Sequence, residues 1–420
     1  MTVSTNIKCD VCEHTLTIKS QMDDSILIYD WPIEIVCPNC NNHMALRMHY
    51  PDGILPSEYK DEKNVGVIHI GYSATLPILS EIYYKEGMGM YNPLYSAFMN
   101  LCGIYGTSVV GRHNGTIGVI LSGIIPYKNL LKEVLPFVKT EGDPTALLTK
   151  MARYFKEKEY KIDKKIKTTD VFNDMVETIY RGLSTIEYNR QKTTYFKEVM
   201  DYIGSVDKAK LEDIIQKSNS YQDNEAWLLE KAYSHIAEMT NHIEQYLPAI
   251  FYSSIGDFKI PHHNNLNILT IDDRQVNTDY SRGFEILIKI IPFLVALHNM
   301  MRNGDCNHYK ESSGEDFNVL ARFSKMSGGK KKEEIERYED LARYLEYTIE
   351  NHIRNGENHE STKYDVYSQM ISYYYNSEKP ELVHEERLID VCFRTYLQFM
   401  RIMEIGIILH KINQRLRDGI

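Results

Sequence analysis

Residues 332–355, KEEIERYEDLARYLEYTIENHIRN, decide how the C-terminal third of this chain is read. Ile335, Tyr338, Leu341, Leu345, Ile349 and His352 recur at three- and four-residue steps, which places them on one face of an α-helix. Such a stripe has to be buried, and the flanking segments offer partners. Upstream, FEILIKIIPFLVALHNMM at 284–301 is apolar on nearly every side, as expected of a central helix. Downstream, HEERLIDVCFRTYLQFMRIMEIGIILHKINQRLRD at 384–418 carries the same period to its end. Together the three segments predict a helical bundle over 281–420.

The full chain of 420 residues is long enough for two or three domains, each with its own core. With 43% hydrophobic and 25% charged residues it is globular rather than disordered or fibrous. A formal net charge of −10 excludes a protein that coats nucleic acid indiscriminately, because neutralising phosphates takes clustered Lys and Arg. Two runs, 150–167 and GGKKK at 328–332, either form a local basic face or serve as solvated surface. The N-terminus lacks the apolar core of a secretory peptide. The apolar window 388–412 is broken by Arg394, Arg401, Glu404 and His410, so it reads as a buried helix. A soluble, cytoplasmic protein without membrane contact is expected.

Of the seven cysteines, four form two pairs, Cys9-x2-Cys12 and Cys37-x2-Cys40, separated by 24 residues. Each pair can offer two thiolates from a tight turn to one tetrahedral ion, which is zinc-ribbon spacing. HTLTIKS at 14–20, ILIYDWPIEIVC at 26–37 and HMALRMHY at 43–50 alternate and are β-branched enough to be its strands. A ribbon over 1–50 has too small a core to fold by burial alone, so structural Zn²⁺ would supply folding energy. Four thiolates leave no open coordination position for catalysis, and His14 and His43 are then surplus.

The middle region, 51–280, reads as irregular and then helical, with a role in packing or recognition. It contains no GxxxxGK[ST] and no GxGxxG opening a helix, so nothing supports a nucleotide-binding loop. GRHNGTIGVILSGIIPYKNLLKEVLPFV at 111–138 has room for one turn and one helix. Clear helical stripes follow at 170–188 and 224–252. The Asn- and Asp-rich stretch 261–283 reads as a domain boundary.

Chemistry concentrates where helices give way to loops. Arg354-Asn355 is followed by His359, and Arg302-Asn303 is followed by His308. Arginine offers a permanently charged fork that fits a phosphate, and histidine titrates near neutral pH. An RNA ribose supplies its own 2′-hydroxyl nucleophile. An enzyme then has to take that proton, stabilise charge on phosphorus and protonate the leaving 5′-oxygen, none of which requires a metal. Asn355 or Asn303 would orient the imidazole or the phosphate. In the competing reading, each trio is a polar helix end whose cation complements the macrodipole and whose Asn-Gly stops the helix. Beyond His359, residues 360–383 alternate and read as a strand or hairpin inserted in the bundle. Tyr364 and Tyr373 there would either stack on RNA bases or cover the bundle's edge.

Arg354-Asn355-x3-His359, placed at the end of an amphipathic helix in a C-terminal α-bundle, resembles the R-x4-6-H signature of HEPN domains. The likeness continues through Tyr364, Asp365, Gln369, Ile371 and Tyr373 and covers 284–417 at most. It implies a metal-independent endoribonuclease of antiviral, abortive-infection or toxin–antitoxin systems. RNA, for example tRNA, would be the substrate, with a trigger or antitoxin as partner. His359 would be the acid/base, Arg354 the phosphate stabiliser and Asn355 the orienting group, with Arg302, Asn303 and His308 as the secondary set. The resemblance also implies a homodimer through the bundle, and the very apolar last helix suits such an interface. Two other functions fit the residues: a non-catalytic HEPN-like scaffold, and a zinc-ribbon nucleic-acid adaptor. The expected architecture is mainly α, with an N-terminal ribbon, a middle region and a HEPN-like bundle carrying a small β insertion.

Overall fold

A computed structural model describes residues 2–21, 30–37, 39–49, 53–55, 66–73, 76–80, 106–139, 167–185, 194–219, 225–247, 249–250, 266–268, 270–308, 320, 323, 325–358, 361–365, 368–375 and 381–418. These residues are mainly helical. The chain forms two compact units, each assembled from three separated stretches. One comprises Met1–Ser122, His242–Thr278 and Asn355–Tyr396, and the other Gly123–Asn241, Asp279–Arg354 and Leu397–Ile420. They cut across the division into 1–50, 51–280 and 281–420.

In the first unit, strands β1 (Thr2–Lys8) and β2 (Thr15–Gln21) form an antiparallel hairpin, as do β3 (Asp30–Val36) and β4 (His43–His49). The ribbon strands read from sequence are therefore present, and β1 is an addition to them. β5 (Gly53–Leu55) extends the second hairpin. The first is not self-contained: β2 pairs in parallel with β6 (Gly66–Ser73), which leads to β7 (Leu76–Ser80) and then to β8 (Leu266–Ile268). The resulting sheet has the order β1-β2-β6-β7-β8 and pairs Ile78 with Ile268, far apart in sequence, a pairing without local signal.

The second unit takes its core from helices. The stretch given one turn and one helix is a single helix, α1 (Thr107–Lys139), running through Pro126 and Pro136. Its C-terminal part buries Ile124, Leu131, Val134 and Val138 on one face. α2 (Thr168–Ser184) buries Val171, Phe172, Met175, Val176, Ile179 and Leu183, the stripe expected there. α3 (Thr194–Ser205), α4 (Lys208–Asn219) and α5 (Glu225–Asn241) follow.

α6 (Asp273–Asn303) begins inside the stretch read as a boundary. Its start is an aspartate cap, with the Gln275 N–H donating to Asp272 Oδ1 at 2.8 Å. Among the described residues it is the one helix long and apolar enough to cross a membrane, but 72% of its most apolar window is buried inside the protein. That burial fits the central helix expected from 284–301. The helix expected across 332–355 is three pieces: α7 (Gly328–Ile335), α8 (Glu339–Tyr344) and α9 (Asn351–Asn358). Tyr347, between α8 and α9, has φ 67°, a left-handed conformation that no helix interior accepts.

β9 (Thr362–Asp365), β10 (Met370–Tyr374) and β11 (Leu382–Arg387) form the expected insertion, a three-stranded antiparallel sheet ordered β11-β10-β9. The Gln369 side chain clamps β8 like an extra strand. It accepts from the Ile268 N–H at 2.7 Å and donates to the Ile268 carbonyl at 2.8 Å. α9 continues past Asn355-Gly356, so that dipeptide is not the helix stop. Gly356 instead admits the Tyr373 ring, because a Cβ there would lie 2.6 Å from Tyr373 Cδ1 and 2.7 Å from Thr362 Cγ2. Gly356→Ala is expected to cost about 1–3 kcal/mol by overpacking, read as a lowered denaturation midpoint with an unchanged m-value.

α10 (Leu388–Asp418) closes the fold. HEER, read as its first turn, belongs to β11 instead. Ile402, Met403, Ile405, Ile407, Ile408 and Leu409 are 0–2% exposed. Each such side chain contributes about 1.5–3 kcal/mol of burial. This apolar surface is covered within the chain, so it does not offer a second copy the face expected of it.

Candidate metal centre and candidate catalytic residues

The two cysteine turns have the same backbone. Glu13 N–H donates to the Cys9 carbonyl at 2.8 Å and Cys9 N–H to the His14 carbonyl at 2.9 Å. Asn41 N–H donates to the Cys37 carbonyl at 2.8 Å and Cys37 N–H to the Asn42 carbonyl at 2.9 Å. Glu13 and Asn41 both sit at positive φ, 59° and 58°, closing each turn. The hairpins bring all four sulfurs within 4.8 Å of one another. Cys9 Sγ lies 3.7 Å from Cys40 Sγ, and Cys12 Sγ lies 3.5 Å from Cys37 Sγ. A tetrahedral ion with bonds of about 2.3 Å to sulfur requires edges of about 3.8 Å, so the residues fit a four-thiolate metal.

The surrounding donors suit charged sulfur. The Asn39 side chain and then the His14 backbone N–H hold the Cys12 thiol down at about 6, while burial pushes the Cys37 thiol up. Backbone N–H groups of Asn39 and Cys40 point at the Cys37 sulfur, and that of Asn42 points at the Cys40 sulfur. Thiolates bound to a metal are stabilised by such donors. An ion held by all four thiolates would have no vacant position for substrate.

The two Arg-Asn trios have different surroundings. Arg302 is held between Glu198 and Asp340, with Nη2 at 2.6 and 2.8 Å from their carboxylates. After Asn303, Gly304 takes φ 76° and its N–H donates to the Met300 carbonyl at 3.0 Å, a glycine helix cap. His308 is exposed in the turn beyond. Two carboxylates hold this one cation, and the glycine cap that follows is what the helix-end reading of the trio expects.

Arg354, half-buried on α9, meets the Glu285 carboxylate. Its Nε donates to Glu285 Oε1 on α6 at 2.8 Å. Around Glu285 stand two further cations, Lys289 one turn along α6 and Lys331 from α7. Lys331 is buried rather than solvated as the GGKKK run suggested, and its Nζ donates to the Ile288 carbonyl at 3.0 Å. Burial, reinforced by Lys289 and opposed by Glu285, lowers its pKa. Glu285, Lys289 and Lys331 were not singled out from the sequence, where the only signal was the basic run. Asn355 is exposed, and His359 lies outside the described residues.

Of the two tyrosines expected to bind RNA, Tyr364 is half-buried on β9. Tyr373 is 1% exposed and donates to Asn277 Oδ1 at 3.2 Å, so it has no face to offer a base. Of the cysteines outside the two Cys-x2-Cys turns, Cys306 and Cys392 are buried. Burial pushes the Cys306 thiol up to about 12, which makes it a poor nucleophile.

At the start of α10, Asp390 stands near Glu386, Arg387 and Arg394. Burial, reinforced by Glu386, raises its carboxyl to about 7 against the pull of the two arginines. The fold holds this proton more tightly than the unfolded chain does. Stability therefore falls as pH rises from about 4 to about 7. Asp390→Asn is expected to stabilise the protein by about 1–3 kcal/mol at pH 8 and to change little at pH 4. Chemical denaturation at the two pH values checks this, and equal effects at both would contradict it.

Compared with known protein families, with curated proteins and with solved structures, the chain matches none.

Proposed function

We propose that the protein is a metal-independent endoribonuclease that cleaves RNA by 2′-hydroxyl attack, with a structural Zn²⁺ in its four-cysteine ribbon. The observation that carries the reading is the half-buried Arg354 guanidinium, paired with Glu285, a carboxylate that Lys331 also feels. A fixed guanidinium in such surroundings suits a phosphodiester whose charge grows in the transition state. Arg354 would stabilise phosphorus, His359 would move the protons and Asn355 would orient one of them. The HEPN-like bundle, a role in antiviral defence or as a toxin, a cytoplasmic location and a homodimer are parts of the same proposal. A dimer would have to use surfaces other than the buried face of α10.

The test is cleavage of labelled tRNA and mRNA by the full-length protein in EDTA. Wild type should release fragments ending in 2′,3′-cyclic phosphates. His359→Ala should lower the rate at least 100-fold at unchanged melting temperature, while His308→Ala cleaves normally. Cleavage that survives His359→Ala would refute the assignment.

A second reading, a zinc-ribbon adaptor, is favoured by Val11. This apolar residue between Cys9 and Cys12 is 65% exposed at the tip of its turn, where a partner could cover it.

A further inference from the structure

Pro126 and Pro136 lie inside α1, and Pro292 lies inside α6. A proline within a helix has no N–H to give, so the carbonyl four residues before it loses its partner. In α1 those carbonyls belong to Ser122 and Lys132, both exposed, where water can serve them. In α6 the carbonyl is that of Ile288, and both Ile288 and Pro292 are buried. A buried carbonyl without a donor is costly. Lys331, reaching across from α7, supplies the donor: its Nζ lies 3.0 Å from the Ile288 oxygen. Lys331 is itself only 7% exposed, so its ammonium gives up water to make that bond. Of the other lysines in GGKKK, Lys330 is exposed and Lys332 pairs with Glu350, which leaves the middle one to α6. Ile288 is one turn beyond Glu285, whose carboxylate receives the Arg354 Nε–H.

We propose that Lys331 is a positioning residue: a strap from α7 that replaces the hydrogen bond lost at Pro292 and so fixes the turn of α6 on which Arg354 rests. The strap itself does not depend on RNA cleavage, whereas its consequence for catalysis rests on the reading given above.

Urea denaturation of wild type, Lys331→Met, Pro292→Ala and the double variant, all full-length, tests the strap. Lys331→Met should lower the folding equilibrium constant about tenfold or more, because it strands the Ile288 carbonyl. With Pro292→Ala in place, position 292 again offers an N–H, and the same lysine substitution should cost about threefold or less. If Lys331→Met alone does not fold, recovery of folding in the double variant is the same result. Positioning is read from the NMR signal of the Arg354 Nε–H, identified by its loss in Arg354→Lys. That signal should move in Lys331→Met, under conditions where the variant is folded, and return in the double variant. Neither measurement uses RNA, so failure of the cleavage reading leaves the test intact. Equal costs of Lys331→Met in both backgrounds, or an Arg354 signal that Lys331→Met leaves unmoved, would overturn the proposal.

Discussion

Arg401→Met should destabilise the protein by about 3–5 kcal/mol, because it strands a charge in the core of the helical unit. Arg401 and Glu404 are 2% and 0% exposed on α10 and form an ion pair. Tyr180 donates to Glu404 Oε1 at 2.7 Å, and the Arg401 guanidinium lies 4.6 Å from the centre of the Tyr344 ring. Removing the guanidinium leaves the carboxylate with a tyrosine hydroxyl and no counter-ion. Removing both charges is a different experiment. Arg401→Met/Glu404→Leu exchanges the pair for apolar volume and should recover most of the loss, since desolvation offsets much of a buried pair's attraction. Urea denaturation of the two variants measures this. A double variant as unstable as the single would mean that packing around Tyr180 and Tyr344, rather than charge, sets the cost.

The second large effect belongs to the proposed structural zinc. Cys12→Ser/Cys40→Ser should abolish stoichiometric zinc binding and with it order in 1–50, since structural zinc contributes about 10–16 kcal/mol of apparent binding energy at neutral pH. Amide exchange should show β1–β4 unprotected and the helices of the other unit still protected. Acid should release the metal from wild type, because protons compete for all four thiolates. A variant that keeps β1–β4 protected would show that pairing with β6, rather than the metal, organises the ribbon.

The parts of the fold that were legible in the sequence are those whose causes are local. A Cys-x2-Cys turn closes on itself through one residue at positive φ, so Cys9, Cys12, Cys37 and Cys40 could be read from spacing alone. The stripe of α2 was likewise visible, because one face is buried along its whole length. The break in 332–355 was not. Ile335, Leu341, Leu345 and Ile349 are all buried, so the apolar period continues across pieces that no glycine or proline separates. Tyr347 gives no hint of its positive φ. The Asp272 cap was present in the sequence but was read as part of an Asn- and Asp-rich turn. β8 could not have been found, since its partners are Ile78, Leu79 and Ser80 of β7 and the side chain of Gln369. For Tyr373 the alternation was right but left base stacking and burial both open, because period two places a tyrosine on a face without saying which face is buried. At the candidate site, Arg354 was read into the last turn of a helix, whereas it is the fourth of the eight residues of α9. The charges that distinguish it from Arg302 were not legible, because Glu285, Glu198 and Asp340 arrive from other helices.

That distinction is the centre of the account, and side-by-side kinetics test it most directly. RNA cleavage by Arg354→Lys and Arg302→Lys should be compared with wild type in EDTA at matched folded concentration. Lysine keeps the charge and removes the fork, so Arg354→Lys should lose about 100-fold or more in kcat/KM while Arg302→Lys stays within about twofold. Equal losses in the two variants, or full activity in Arg354→Lys, would contradict the assignment of phosphate recognition to Arg354.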